Sequence, residues 1–395
     1  MTTAQEPAAP RQRGRPPPWR DVRVLRAAFQ VAFVVLVGAL LWYLLGNLRT
    51  NLRVSGLPTG FDYLDRPAGV DIRDSPFRPS QPIRDAIVVG LVNTVRGSVV
   101  GIALATVLGI LVGVARLSTN WLVRKGAAVY VETLRNVPVL VTIIFMYTAV
   151  VLRLPPISRA SEWLGLIVFS NRGLVVPWGV AGTGARAFTG VVGGAFALAV
   201  IVGLWRSRRF DETGEPHHRV LWGGAVLVIV TAAGYVAFSR PVTLTLPTRE
   251  GRIVQGGIQL GPEYAALLIG LVLYTASHIA EIVRGSILAV PKGQTEAANA
   301  LALSGFQRLR FVVLPQALRI MLPPLANQYL NLTKNSSLAV AVGYFELTRI
   351  TGQIIANANP APQSIAILML LYLALSLLIS LVANIVNRSL ALETR

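Results

Sequence analysis

Windows of about 20 nearly uncharged residues recur along this chain, and no other feature limits its possible folds so strongly. A helix rising 1.5 Å per residue needs about 20 apolar residues to cross ~30 Å of hydrocarbon. Inside lipid a segment must satisfy its own backbone polar groups, which helices do within one element. The first window, "RAAFQVAFVVLVGALLWYLLG", covers 26–46. Others fall at about 86–115, 127–151, 187–205, 220–238, 263–283, 322–343 and 363–387. The expected fold is an all-α polytopic membrane protein with about eight transmembrane helices. Composition agrees: 53% of residues are hydrophobic and 14% charged, against roughly 25% charged in a soluble protein.

The formal charge of +19 would suggest nucleic acid in a soluble chain. Here the basic residues gather in the tail and loops, where they anchor to anionic lipid and set orientation; no nucleic-acid partner is expected. Cysteine is absent, which removes disulfides, thiol nucleophiles and Cys-based metal sites. The histidines are His217, His218 and His278. They form no ligand set, and no metal or bound cofactor is expected. No G-x-x-x-x-G-K-[ST] or H-E-x-x-H occurs, so neither nucleotide hydrolysis nor intramembrane metalloenzyme chemistry is expected of this chain. "GTGARAFTG" (182–190) is Gly-rich but lacks the phosphate-binding Lys. The alternative function is a self-sufficient secondary transporter or channel driven by an ion gradient. It calls for several mid-span carboxylates, and these are scarce.

Residues 1–25, Pro- and Arg-rich, read as a disordered basic tail. They are too polar for a typical signal peptide, so the first window is read as an uncleaved span. Residues 26–85 then comprise that helix and a polar loop. Residues 152–262 hold inserted loops around an extra pair of spans, with 239–262 in short extended or turn structure. Residues 388–395 form a second tail. Eight spans place both termini on one side. The Arg-rich tail, the loops at 116–126 and 206–219, the 284–320 segment and Arg388 all fall there, and the positive-inside rule makes that side cytoplasmic.

One connector is far more than a link. "QTEAANALALSGFQRLRFVVLPQALRI" (294–320) carries Arg308, Arg310 and Arg319 between two spans. Residues 294–303 favour a short helix, Ser304-Gly305 breaks it, and a second helix-prone run, 306–313, ends before Pro315. Two short helices around a breaker make a rigid knob suited to transmitting force to a soluble partner.

"EAANALALSGFQRLRFVVLP" resembles the EAA coupling loop of ABC importer permeases. Glu296, Ala297, Ala298, Val312, Leu314 and Pro315 match that pattern. The Gly expected six residues after the Glu is Ala302, and Gly305 is expected to supply the bend instead. "YVETLRNVPVLV" (130–141), "SHIAEIVRGSILAVPKGQTEAA" (277–298) and "LPQALRIMLPPLANQYLNLTKNSSLA" (314–339) resemble permeases for polar amino acids, the histidine, glutamate, glutamine, arginine and opine group. "GFDYLDRPAGVDI" (60–72) and the added spans resemble the larger subunit of general L-amino acid importers. The resemblance implies that 86–151 and 263–387 form the five-helix type I importer core. It implies a second, different permease subunit, a dimeric cytoplasmic ATPase carrying ATP and Mg²⁺, and a periplasmic amino-acid-binding protein. Alternating access of an inner-membrane complex would follow, with Glu296, Ala297, Ala298, Ala302, Gly305, Leu314 and Pro315 docking on the ATPase.

Lys334 lies about twelve residues into the seventh window, near mid-membrane, where a charge faces a cavity or a partner. With Asn335, Ser336 and Ser337 it is a candidate for the substrate path; a structural ion pair is the other reading. Glu281/Arg284 and Glu132/Arg135 are spaced for local salt bridges. Asn93 and Thr94 suit an N-cap, and His278 an interhelical hydrogen bond.

Overall fold

The computed structural model describes residues 19, 21–56, 60–213, 218–251 and 253–390. Most of the basic tail, His217 and residues 391–395 lie outside the described residues, as does the side chain of Arg388. The helices are α1 (Val22–Val54), α2 (Ile83–Ala115), α3 (Trp121–Asn136), α4 (Val139–Phe145), α5 (Ala185–Thr213), α6 (Arg219–Ala237), α7 (Pro262–Leu288), α8 (Lys292–Ala300), α9 (Gly305–Arg308), α10 (Leu314–Asn335), α11 (Leu347–Ala356) and α12 (Ala361–Leu390). Among the described residues, six helical segments are long and apolar enough to cross a membrane. The count becomes seven if α3 with the 139–153 segment is one bent span. The apolar part of α6, Leu221–Ala237, is shorter than the rest.

The all-α expectation holds for the membrane-crossing part only. Among the described residues, eight short strands occupy the connections before α5 and after α6: β1 (Ser161–Trp163), β2 (Ile167–Ser170), β3 (Gly173–Val176), β4 (Trp178–Ala181), β5 (Val242–Thr245), β6 (Thr248–Glu250), β7 (Ile253–Gln255) and β8 (Ile258–Leu260). One antiparallel sheet has the order β1-β2-β3-β8. Leu174 on β3 stands opposite Leu260 on β8, and Trp178 on β4 opposite Thr245 on β5. Chain entering α5 thus pairs with chain leaving α6, so the two helices go out and return to the same side. The apolar run "GLVVPWGV" (173–180) is not a span: Gly173–Val176 alternate in and out of this sheet as β3, and from Trp178 the run continues as β4 against β5.

Two windows are broken. Val137 precedes Pro138 and is extended at φ −99°, ψ 129°, as the proline ring demands of its predecessor. The chain bends there by 106°, so 127–151 is not one straight helix. The seventh window belongs to a longer helical path that starts at Gly305, runs through α10 and tightens into 3₁₀ turns over Ser336–Val342. The additional helix α11 then precedes α12.

The centre of the molecule is the seam between α2 and α7. Gly97, Gly101, Ala105, Gly109 and Gly113 recur every fourth residue on α2, which places them on one face, and all are buried. A Cβ at Gly109 would lie 2.5 Å from Ile279 Cγ2, and one at Gly113 would lie 2.8 Å from the Ala280 carbonyl oxygen. Lipid offers no hydrophobic gain to helix pairing, so close backbone approach through small residues must supply the attraction. Gly97 meets Tyr264 and Leu267 near the start of α7, and Gly113 meets Val283 near its end, so the two helices run parallel. Leu332 of α10 packs at Gly101, and Ile143 of α4 packs on Gly270 of α7. A second core joins Tyr63, Ile72 and Ile83 to Leu347, Ile350 and Ile354 of α11.

Gly109→Val should wedge this seam and cost about 1–3 kcal/mol. The expected result is a lower thermal unfolding midpoint for the detergent-purified complex. Gly126→Ala, where a Cβ meets nothing within 4 Å, should leave the midpoint unchanged or slightly higher. Equal midpoints for Gly109→Val and wild type would contradict the packing account.

Candidate functional site

The segment after α7 is built as a self-bonded knob. Pro291 stands at the N-cap of α8, whose sequence is KGQTEAANA. The helix ends in a Schellman motif: the Leu303 N–H donates to the Ala298 carbonyl at 3.1 Å, and the Ala302 N–H to Asn299 at 2.9 Å. Ala302 itself adopts the left-handed conformation, φ 53°. The bend therefore sits at Ala302, where the resembling pattern has glycine, and Gly305 does not supply it. Gly305 instead opens α9 behind Ser304, whose hydroxyl accepts from the Gln307 N–H while the Gln307 side chain accepts from the Ser304 N–H. This is a capping box.

The second run does not end before Pro315. It continues through a π turn at Leu309–Val313 into α10, with Pro315 just after the junction. Two hydrogen bonds fasten the knob: Arg308 to Asn299 at 2.7 Å, and Gln316 to Gln294 at 3.2 Å. Ala298 is buried against the rest of the segment. Glu296, Ala297, Ala302, Gly305, Leu314 and Pro315 are exposed. Leu301, Phe306 and Phe311 are exposed beside them, at 75%, 69% and 62%, so the knob presents a face with apolar content to its surroundings.

The proposed path residues lie elsewhere. Lys334 is twenty residues beyond Leu314, about 30 Å along the helix. It is exposed on the subunit surface where α10 gives way to 3₁₀ turns. Ser336 and Ser337 return their hydroxyls to the Thr333 and Lys334 carbonyls, both at 2.7 Å, and Asn335 is half-buried. Among the described residues Lys334 has no carboxylate partner, so the ion-pair reading does not describe this subunit taken alone.

Beneath the knob, Glu281 of α7 binds Arg284 on its own helix at 2.5 Å and Arg116 at the end of α2. The expected Glu281/Arg284 pair is thus half of a bridge between helices. The Glu132/Arg135 pair does not form; among the described salt bridges neither residue appears. Among the described residues His278 makes no hydrogen bond to another helix: its Nδ1 lies 3.1 Å from the Tyr274 carbonyl one turn back, and the two rings pack at a tilt of 43°.

Asn93 and Thr94 are not an N-cap, since α2 begins ten residues earlier at Ile83. They hold α11. The Asn93 amide donates to the Phe345 carbonyl at 2.8 Å, and the Thr94 hydroxyl accepts from the Leu347 N–H at 3.2 Å. Glu346, fully buried, caps α11 by accepting from the N–H groups of Thr348 and Arg349, and Tyr372 of α12 donates to it at 2.9 Å. Burial pushes its carboxyl above the usual range, partly offset by these hydrogen bonds. Sequence reading passed over this clasp. Its one visible signal was an acid directly ahead of the amphipathic run "LTRITGQIIA".

The sequence over 105–392 matches the family described as the binding-protein-dependent transport system inner membrane component. The chain belongs to that family: it is a multi-pass permease subunit of the inner membrane, without catalytic chemistry, in a system whose ATP is hydrolysed by a separate chain. Among curated proteins it is 40% identical to the general L-amino acid transport system permease protein AapQ of Rhizobium johnstonii, over 93% of this chain and 92% of that one. It is 35% identical to the glutamate/glutamine/aspartate/asparagine transport system permease protein BztB of Rhodobacter capsulatus, over 95% and 96% of the two chains. A crystal structure of an amino acid ABC transporter with histidines aligns with a TM-score of 0.47 at 17% identity, covering 78% of this chain and 94% of that one. Among the described residues no group of three or more potential ligands is placed to hold a metal.

Ala302 carries a left-handed penalty of roughly 1 kcal/mol that glycine would not. Ala302→Gly should therefore stabilise the turn, slowing exchange of the Leu303 amide about fivefold at that energy. Exchange at the wild-type rate, or faster, would contradict the assignment of the bend.

Proposed function

We propose that this chain moves polar L-amino acids from periplasm to cytoplasm by alternating access, coupled through the 284–320 segment to a separate ATPase. The observation that carries the reading is the knob itself. The break between its two helices is closed by backbone hydrogen bonds and a capping box, and its outward residues include Glu296, Ala297 and three large apolar side chains. Rigid, exposed and partly apolar surfaces suit protein docking better than solvation. The Arg116–Glu281–Arg284 bridge ties the helix leading into it to the end of α2, so a push on α8 is delivered to the central helix pair.

In this reading all eight apolar segments cross, counting the bent α3–α4 pair and short α6. Residues 86–151 and 263–387 form the five-helix core, and 152–262 are an insertion. Both termini lie in the cytoplasm. The strands and α11 then face the periplasm, where a binding protein delivers the solute. The partner permease is a second, different subunit, in keeping with the relatives named for general amino acid transport. Exposed Lys334, with Asn335, Ser336 and Ser337, faces that subunit across the solute path and meets carboxylate groups there.

The complete system in proteoliposomes should accumulate radiolabelled L-amino acids only with ATP inside the ATPase compartment and binding protein outside. Glu296→Arg with Ala297→Asp should abolish both uptake and co-purification of the ATPase. Amino acid flux that persists without ATP, or an ATPase that stays bound to the double variant, would contradict the proposal.

A further inference from the structure

At the end of α7 opposite the knob, a narrow cleft of about 30 Å³, open to solvent, is lined by Arg73, Asp74, Arg96, Glu263, Tyr264 and Tyr344. Its charges are arranged unusually. Arg96 of α2 is half-buried with its guanidinium 4.8 Å from the centre of the Tyr264 ring. Asp74 stands across from it in a tight turn, φ 57°. Among the described residues neither Arg96 nor Asp74 forms an ion pair, although both line one cleft. The second carboxylate, Glu263, is shared with exposed Arg73 at 3.7 Å. A Cβ at Gly261 would lie 2.5 Å from Asp74 Oδ2 and 3.4 Å from Glu263 Oε2. Two carboxylates thus flank one point, while a lone guanidinium lies on the aromatic wall of Tyr264 and Tyr344, whose rings are 5.3 Å apart.

We infer that this cleft receives the zwitterionic end of an α-amino acid, its carboxylate on Arg96 and its ammonium between Asp74 and Glu263. The inference rests on the amino acid reading above and adds where and how the solute is first held. A guanidinium has five N–H donors, so one held beside an aromatic ring still has donors for a carboxylate. An ammonium with three donors suits two converging carboxylates. The four charged lining residues sum to zero, so a neutral zwitterion enters without net repulsion. The groups contacted are those every α-amino acid shares, so this site accepts acidic, basic and neutral polar amino acids alike. The cleft also adjoins the clasp that holds α11: Asn93 lines it and binds Phe345. An occupied cleft therefore touches both α2 and the segment leading into α11.

The test is equilibrium binding of radiolabelled L-glutamate, L-glutamine and L-arginine to the purified permease–ATPase complex without binding protein. ATP-driven uptake of the same three by the complete system runs alongside, and co-elution with the ATPase reports folding. Arg96→Gln and Asp74→Asn should each weaken binding of all three at least tenfold and in parallel. Arg96→Lys, which keeps the charge but loses the fork, should fall between wild type and Arg96→Gln. Uptake by the wild type with binding unchanged in the variants, or weakened for one amino acid only, would overturn the inference and leave the amino acid reading intact. A wild type that takes up none of the three would sink that reading, and the inference with it.

Discussion

Everything else in this fold hangs on the approach of α2 to α7. Lipid tails are as apolar as leucine, so burial cannot drive helix pairing as it does in water. Contact area and backbone proximity must do so, and they require missing side chains. Gly97, Gly101, Ala105, Gly109 and Gly113 provide a smooth face along which Tyr264 to Val283 lie in register. At Gly113 the approach is to the Ala280 carbonyl itself. A pair packed at backbone distance slides or separates only by losing the whole seam, so it moves as one body. Other core elements attach to it: α10 at Gly101, α4 at Gly270, and α11 through Gly90, Asn93 and Thr94.

That unit has a distinct chemistry at each end. At one end Arg116, Glu281 and Arg284 bind α2 and α7 together just before the chain turns into the capped knob. At the other, Arg96 and Glu263 bring the same two helices to the charged cleft. The 27 residues of α7 span about 40 Å, so a force on α8 and a ligand beside Tyr264 act on opposite ends of one rigid element. Two-state coupling between distant sites needs such a body, biased from both ends. Glu346 adds a brace: its buried carboxylate joins the α11 N-terminus to Tyr372 of α12, so α11 tilts with the helices around it.

Six or seven of the eight expected spans were legible in the sequence because hydrocarbon thickness sets a length that hydropathy can count. The knob was legible because caps and breakers act locally: Pro291, Ser304 and Gln307 lie within the segment they shape. Errors arose where a distant partner decided the outcome. Asn93 and Thr94 looked like a helix start, but their partners lie some 250 residues away in α11. Glu281 and Arg284 looked like a local pair, but Arg116, 165 residues away at the end of α2, also reaches Glu281. The alternating run at 173–176 needed β8 beyond two helices to become a strand. Ala302 shows a different limit: a Schellman turn can hold alanine in a left-handed conformation, so absence of glycine did not mean absence of the bend. The i,i+4 stripe on α2 was written in the sequence and went unused, since small residues count as apolar in any window average.

Because the chain contains no cysteine, one introduced thiol reports cleanly. The most direct test places it at Gln259, an exposed residue at the rim of the charged cleft. Its labelling by a membrane-impermeant maleimide is then followed in the complete system with and without ATP. The account predicts labelling from the outer side, a rate that changes several-fold when ATP is trapped, and loss of that response when Glu296→Arg and Ala297→Asp disable the knob. A rate indifferent to ATP, or an ATP response that survives the disabled knob, would contradict a rigid link between the two ends.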